Sequence, residues 1–359
     1  MKTKIVFVVS SVNDSHYKNR ILEFINRGYD VEVYGYERPN KKGQSNYPYP
    51  VNVLGVVRDK GYKERIGQYI KDFKVIKRQY KTTNVFFYLC GLDMAIGFTL
   101  FSRGVKYIYE ECDLVHTYTK LKKILEVWDK HIIKNSMLTI TTSEGFVKYH
   151  WGSRCPSNVC LVENKLNPEL LNFKKYSTCE VDLNNLSIGF VGAPRFMSVY
   201  NFIRIFCENF PQYTFHIFGG PVSAQFETLK CHKNCIFHGF FKNPDDLSEI
   251  YSQIDLVLST YDVKYENVRY AEPNKLYESI YFETPIIVSS GTYLAEKVDR
   301  LGVGFAIDAM SEEEVITFIR NLAKDKILNK IQAAKSIDKK CTLNINDHMF
   351  ERLKSLKIV

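Results

Sequence analysis

Short runs of apolar or β-branched residues recur along this chain, separated by segments with an apolar residue every three or four positions. Ile5–Val9, Asn84–Cys90 (NVFFYLC), Met137–Thr142 (MLTITT), LSIGFVGA from Leu186 and Ile286–Val288 are runs of the first kind. Such runs fit parallel strands covered on both faces. Between them the period lengthens to that of a helix. Arg20–Arg27 (RILEFINR) precedes Gly28, which suits a helix C-cap, and Asp30–Tyr36 (DVEVYGY) follows as a strand. The chain therefore opens as a βαβ unit, with Lys4–Ser10 its first strand. Lys106–Tyr109, TFHIFGGP, CIFHGF and DLVLST add strands. Gly91–Ser102 and Pro244–Ser252 add helices, the latter introduced by Asn243 as N-cap.

The rhythm breaks once, in the polar stretch 163–186, which reads as a linker. A chain of 359 residues accommodates two cores. We expect a first domain over 1–180, a second over 181–340, and a helical tail over 341–359. Strand and helix alternate in both halves, which predicts two doubly wound α/β domains with ligands at the carboxyl ends of the strands. The loop Ser11–Asn19 lies at one such end, and it carries no GxGxxG fingerprint.

Composition adds little to this picture and charge adds more. A hydrophobic content of 45% and a charged content of 25% suit a soluble globular protein. The net charge of +9 suggests a polyanionic neighbour. Much of the charge lies in 58–81: Arg58, Lys60, Lys63, Arg65, Lys71, Lys74, Lys77, Arg78 and Lys81, against Asp59, Glu64 and Asp72. There Ile66, Tyr69, Ile70, Phe73, Val75 and Ile76 recur at helical spacing. The pattern fits a surface helix packed on a sheet, and also a basic helix lying on an anionic membrane surface. Ile5–Val9 is too short for a signal peptide, and no apolar run is long enough to span a bilayer. Nine scattered cysteines then suit a reduced cytoplasm. Cys231, His232, Cys235 and His238 have metal-ligand chemistry, but strand alternation sends Cys235 and His238 to opposite faces.

The most informative stretch is YAEPNKLYESIYFETPIIVSS, Tyr270–Ser290. Pro273 suits a helix start, where its missing N–H is not needed. Leu276 and Ile280 face a core, and Lys275 and Glu278 share the opposite, polar face. Pro285 stops the helix before the buried strand Ile286–Val288. The N–H groups and dipole of a helix start favour an anion such as a diphosphate, and Lys275 adds a charge beside them. Glu278, one turn in, is placed to accept two hydrogen bonds from a ribose diol. The same spacing fits a solvated Lys–Glu pair contributing about 0.2–0.5 kcal/mol.

The string PNKLYE, with Pro285 seven residues after Glu278 and IIVS behind it, resembles the donor-nucleotide signature of GT-B glycosyltransferases of the family-4 type. That family builds bacterial surface polysaccharides. The resemblance implies a GT-B fold, two Rossmann-like domains facing a cleft with the C-terminal helix returning to the first. It places Glu278 at the donor ribose, with Asn274, Lys275 and Leu276 beside it. A second family glutamate, eight residues earlier, is Tyr270 here, and Glu272 lies nearby out of register. Gly192 and Arg195 match the place of a diphosphate-binding arginine loop. The family's partner lysine is missing from Phe196–Asn201, which leaves Lys275 as its substitute. Gly219 allows backbone close to a ligand, and His238–Gly239 matches the base contact. In the first half the resemblance is weaker. Asp14 and His16 partly match a D-x-R-x-x-K opening, YEECDL resembles a strand end that approaches the donor sugar or acceptor, and Ser143–Glu144 is family-like. Glu110, Glu111, Asp113 and His116 gather there, and the catalytic candidates are Asp113, Glu111 and His16.

The expected activity is transfer of a sugar from a UDP- or GDP-linked donor to a lipid-linked saccharide acceptor, with retention of configuration implied by the family. No cofactor is expected, and no metal, because the chain has no Asp-x-Asp triplet. An anionic membrane surface is the expected neighbour, on the cytoplasmic side, and nucleic acid is not. Two alternatives fit: a nucleotide-sugar 2-epimerase of the same fold, and a basic nucleic-acid-binding protein.

Overall fold

The computed structural model describes residues 3–38, 47–57, 62–80, 85–101, 104–173 and 181–358. Two compact units divide the chain, one formed by 1–163 with 346–359 and the other by 164–345. The boundary thus falls at the start of the polar stretch, and residues 174–180 within that stretch lie outside the described residues.

The first unit is built on β1 (Lys4–Val9), β2 (Asp30–Glu37), β3 (Val51–Val56), β4 (Val85–Cys90), β5 (Tyr107–Glu111), β6 (Leu138–Thr141) and β7 (Val159–Leu161). These pair in parallel in the order β3-β2-β1-β4-β5-β6-β7. The second unit has β8 (Ser187–Val191), β9 (Thr214–Phe218), β10 (Cys235–Gly239), β11 (Leu256–Ser259), β12 (Ile286–Ser289) and β13 (Gly304–Ile307), all parallel in the order β10-β9-β8-β11-β12-β13. Helices cover both faces, so every side chain of β4 and β12 is buried. In each sheet the order reverses once, between β1 and β4 and between β8 and β11. At such a switch point the flanking loops part and leave a crevice beyond the strand ends.

The central strands stand where the apolar runs predict them. The edge strand β3 has no such run, because one side of an edge is open, and it is largely exposed or half-buried; the short edge strands β7 and β13 were not among the strands expected. Two local expectations are corrected. The first helix is Ser15–Asn26, capped by the Asp14 carboxylate on the His16 N–H at 3.0 Å, so His16 sits in a helical turn rather than a loop. The helix expected from Pro244 begins at Leu247. The Asp246 carboxylate accepts from the Lys242 N–H at 2.7 Å, a local turn that displaces Asn243 as cap. In the helix Tyr62–Gln79, Tyr69, Phe73 and Ile76 are buried, with Phe73 edge-on to Phe98 at 5.5 Å, whereas Ile70 is half-buried and Val75 exposed, so three positions of the expected apolar stripe face the core. Lys71, Lys74 and Arg78 are exposed. Arg58, Asp59, Lys60 and Lys81 of the expected basic stripe lie outside the described residues.

Within the first unit the closing helix Asp347–Ser355 buries Met349, Phe350 and Leu353, with Phe350 against Phe24 at 5.1 Å. No described helix is long and apolar enough to cross a membrane.

Candidate functional site

The helix Lys275–Phe282 begins just after Pro273 and ends at Glu283, whose backbone is left-handed at φ 60°. Leu276 and Ile280 enter the core as the spacing predicts, and so do Tyr277, Ser279, Tyr281 and Phe282. Leu276 is wholly buried, so its side chain serves packing. Glu278 is also wholly buried, and this rules out the solvated pair. Its Oε1 accepts from Asn274 Nδ2 at 3.0 Å and Lys275 Nζ at 2.8 Å. Its Oε2 accepts from Lys275 Nζ at 2.8 Å and Tyr251 Oη at 2.6 Å. Burial and the Glu278 charge push the Tyr251 phenol well above its usual pKa, which keeps it a donor. A carboxylate takes about four hydrogen bonds, and Glu278 has four. A ribose diol therefore reaches this carboxylate only by displacing one of these donors, and Lys275, whose side chain is 12% exposed, and the half-buried Asn274 are the ones not fully enclosed. Tyr251 carries no sequence signal. It lies 27 residues upstream and meets Glu278 only through the fold.

Beside this helix, three glycines close the ends of β8, β9 and β10. The Gly192 N–H donates to the Phe218 carbonyl at 2.7 Å, and the Gly219 N–H to the Gly239 carbonyl at 2.6 Å. Gly219 has φ +124°, and a Cβ there would stand 2.3 Å from the Gly192 carbonyl oxygen. Only glycine fits such an approach. The backbone at the switch point is thus bare of side chains. Arg195 follows Gly192, exposed, with its guanidinium 5.0 Å above the Phe196 ring. Phe196 in turn stands edge-on to Tyr261 at 5.0 Å. The Asp262 carboxylate accepts from the Ser198 N–H at 2.8 Å and so ties the loop after β11 to the start of the helix Met197–Asn209.

His238 is exposed on β10 and stacks on Phe218 at 4.1 Å. Its Nε2 lies 2.9 Å from His216 Nδ1. Burial, then the neighbouring His238, lowers His216 to about 4, and burial also lowers His238, so the pair is neutral at pH 7. Next to it Phe240 is 80% exposed. Cys235 packs inward with Cys207, while Cys231 is exposed. Glu272, though close in sequence to Glu278, is engaged elsewhere: it accepts from Lys297 Nζ and from the Tyr277 hydroxyl, all three buried. The out-of-register position thus forms an internal ion pair.

In the first unit the acids at the end of β5 and just beyond it separate into distinct surroundings. Glu110 is buried and bonded to Arg20 (3.1 Å), His16 (3.0 Å) and Tyr88 (2.7 Å). Burial would raise its pKa, but Arg20 and His16 outweigh this and hold the carboxyl well below the usual carboxylate range. His16 is raised in return, Glu110 overcoming the effect of its burial. Glu111 is buried with His150 Nε2 at 2.7 Å, and burial together with Asp129 pushes it up to about 7. Asp129 accepts from Tyr109 Oη at 3.0 Å and has His116 Nδ1 at 3.4 Å. Asp113 alone of the three candidate catalytic groups is exposed. Ser143 caps the helix Glu144–Trp151 through the Gly145 N–H at 3.0 Å. Among the described residues, two sets of atoms converge within 4.8 Å as metal ligands would, His16–Glu110–Cys112 and Glu111–Asp129–His150. In the first, the Arg20 guanidinium already neutralises Glu110.

Residues 186–325 match the family model described as glycosyl transferases group 1. No curated protein matches the chain. Among solved structures, sucrose-phosphate synthase from Thermosynechococcus elongatus superposes with a TM-score of 0.72 at 12% identity, covering 99% of this chain and 100% of that one. Anabaena HepE in complex with UDP-glucose superposes with a TM-score of 0.70 at 16% identity, over 98% and 99%. WaaG, a glycosyltransferase involved in lipopolysaccharide biosynthesis, gives 0.64 at 14% identity, over 99% and 99%. At these identities the likeness is one of fold, and that fold is GT-B.

Proposed function

We propose that this GT-B glycosyltransferase, whose second unit carries the group 1 model, takes a nucleoside diphosphate sugar at the β8/β11 switch point and passes the sugar to a lipid-linked saccharide. The observation that carries the donor assignment is the wholly buried Glu278, one turn into a helix and held by Lys275 and Tyr251. In this reading Glu278 takes the ribose diol, Lys275 turns from Glu278 to the diphosphate, and Arg195 meets the same phosphates. Gly192 and Gly219 let the backbone approach, and the base lies along His238–Gly239. UDP is the nucleotide we favour, since HepE is a structural neighbour solved with UDP-glucose.

The reaction is attack of an acceptor hydroxyl oxygen on the anomeric carbon. The carbon–oxygen bond to the diphosphate breaks, and the acceptor proton leaves with a base or with the leaving diphosphate. The barrier lies in the charge growing on the diphosphate, so cations already placed at the site lower it most. Asp113 is our choice to orient the acceptor hydroxyl, because Glu110 and Glu111 are buried and bonded within the first unit. Retention of configuration, activity without a metal, and a role in surface-polysaccharide synthesis belong to this proposal.

Titration with UDP- and GDP-sugars tests the donor assignment. Glu278→Ala should lose about 3 kcal/mol of donor binding, two charge-assisted hydrogen bonds in all. A folded Glu278→Ala variant that binds donor as the parent does would refute it.

A further inference from the structure

Four elements of the first unit each bring one donor group to a single enclosed spot. Glu111 ends β5, His116 lies in the 3-10 turn Val115–Tyr118, Asp129 on the helix Lys122–Asn135 and His150 on the helix Glu144–Trp151. Their side chains are 0% or 1% exposed. Glu111 Oε1 is 2.7 Å from His150 Nε2, and Asp129 Oδ2 is 3.9 Å from the same nitrogen. His116 Nδ1 stands 3.4 Å from Asp129 Oδ2 and, though wholly enclosed, makes no hydrogen bond.

Such a set is unbalanced by itself. Two carboxylates side by side and out of water repel each other. Among the described residues neither Glu111 nor Asp129 pairs with a lysine or arginine. Burial and Asp129 already push the Glu111 carboxyl up. The neighbouring Glu110 differs, since Arg20 supplies it with a cation. A divalent ion supplies the missing charge and gives the His116 nitrogen a partner.

The donor types indicate which ion. Imidazole nitrogens suit zinc, whereas magnesium and calcium take oxygen ligands. Ligands about 2.0–2.2 Å from zinc in a tetrahedron stand about 3.3–3.6 Å from one another. The spacings of 2.7, 3.4 and 3.9 Å bracket that range. His116 lies outside the set that converges within 4.8 Å, so it has the farthest to move. Supporting contacts leave the required atoms open. Tyr109 Oη donates to Asp129 Oδ1 at 3.0 Å and Thr141 Oγ1 to Glu111 Oε2 at 3.5 Å, each on the oxygen the cluster does not use. Tyr149 Oη is 3.3 Å from His116 Nε2, which suits a ring proton there and a lone pair on Nδ1.

We propose that Glu111, Asp129, His150 and His116 form a structural zinc site in the first unit. The ion ties a strand, a turn and two helices together. Two of its ligands, Glu111 and His116, flank Asp113 in sequence, so it also fixes the segment that carries Asp113. This role is separate from neutralising the diphosphate, for which the proposed cations are Arg195 and Lys275.

Zinc titration of the full chain, first stripped with a chelator, tests it. Calorimetry should show one ion per chain, and zinc at a hundredfold excess over its Kd should raise the melting temperature by about 5–10 °C. Cobalt(II) in its place should give the strong visible bands of a tetrahedral site. Glu111→Gln and Asp129→Asn should each lower zinc affinity by about a hundredfold or more, and Tyr149→Phe, which removes only a support of His116, by about tenfold. Should the two carboxylate variants fail to fold, Tyr149→Phe still decides. Cys112→Ser should bind zinc as the parent does. The proposal fails if the stripped parent takes up no zinc, if magnesium competes equally, or if folded Glu111→Gln, Asp129→Asn or Tyr149→Phe binds zinc like the parent. It also fails if Cys112→Ser loses the ion, which would put the ion at His16–Glu110–Cys112 instead. Donor affinity should be the same with and without zinc, since the residues proposed for the donor belong to the second unit.

Discussion

Replacing Lys275 by Met gives the sharpest test of how the helix Lys275–Phe282 is held together. Glu278 has no exposed surface, and Lys275 reaches both of its oxygens at 2.8 Å. Lys275→Met leaves a buried carboxylate with only Asn274 and Tyr251 of its present donors. Breaking one side of a buried ion pair costs about 3–5 kcal/mol, because the remaining charge stays desolvated. The second unit spans 164–345, that is 345 − 164 + 1 = 182 residues. For a unit of that size each kcal/mol moves the melting temperature by about 2–4 °C, so the variant should melt roughly 6–20 °C lower. Adding Glu278→Gln removes the stranded charge, and the double variant should recover most of the loss, with a coupling of at least about 1 kcal/mol. Donor binding should not return, since the cation proposed for the diphosphate and the carboxylate proposed for the ribose are both gone. Calorimetric melting and donor titration of the parent, both single variants and the double variant measure the full cycle. The reasoning is refuted if Lys275→Met melts with the parent, or if the double variant is no more stable than the Lys275→Met single.

Arg195 is exposed and rests over Phe196, so Arg195→Met should leave stability within about 0.5 kcal/mol while transfer slows at least tenfold, about 1.4 kcal/mol; loss of activity with EDTA in the parent, joined to full activity of the variant, would assign the charge to a metal instead. Asp113→Asn should lower turnover and keep donor affinity, which steady-state kinetics and titration separate; normal turnover would remove Asp113 from the reaction. The Glu111 carboxyl is raised to about 7 from an ordinary value of 4.5 by burial and Asp129, and His150 is raised too. The folded state then holds protons that the unfolded state has released, so these groups add stability at low pH that is lost as pH rises from about 4.5 through about 7. Glu110, held low, acts with the opposite sign and loses its contribution as pH falls below 4.5. Melting curves across pH 5–8 should therefore show a downward slope in the parent that flattens in Glu111→Gln; equal slopes would mean that the Glu111 cluster does not titrate there.

Much of the fold was legible because it depends on local periodicity. Central strands such as β4 and β12 bury both faces, so their sequences must be apolar at successive positions, and the runs announce them. The edge strand β3, mostly open to solvent, is under no such demand and left no run. The helix Lys275–Phe282 was legible for a different reason. Pro273, Lys275, Glu278 and Pro285 act over one short stretch, and spacing alone puts Lys275 and Glu278 one turn apart.

What spacing does not contain is depth and distance along the chain. A Lys–Glu pair three residues apart reads the same whether solvated or buried, and only the packing of Tyr251 and Phe282 around it decided that Glu278 is dry. The same holds for Glu110, Glu111 and Asp113, three acids within four residues. Strand alternation at the end of β5 turns Glu110 toward Arg20 and Tyr88 and Glu111 toward His150, while Asp113 lies past the strand in solvent. Likewise the apolar positions of Tyr62–Gln79 and Lys122–Asn135 both recur at helical spacing. Tertiary packing buries Tyr69, Phe73 and Ile76 of the first and Ile132 and Ile133 of the second, and leaves Val75, Ile124 and Val127 outside, because a sheet has room for only one face of each helix. Residue types and short-range spacing were thus set by the sequence itself, whereas burial, and with it the energy of every charge, was set by which distant segments arrive alongside.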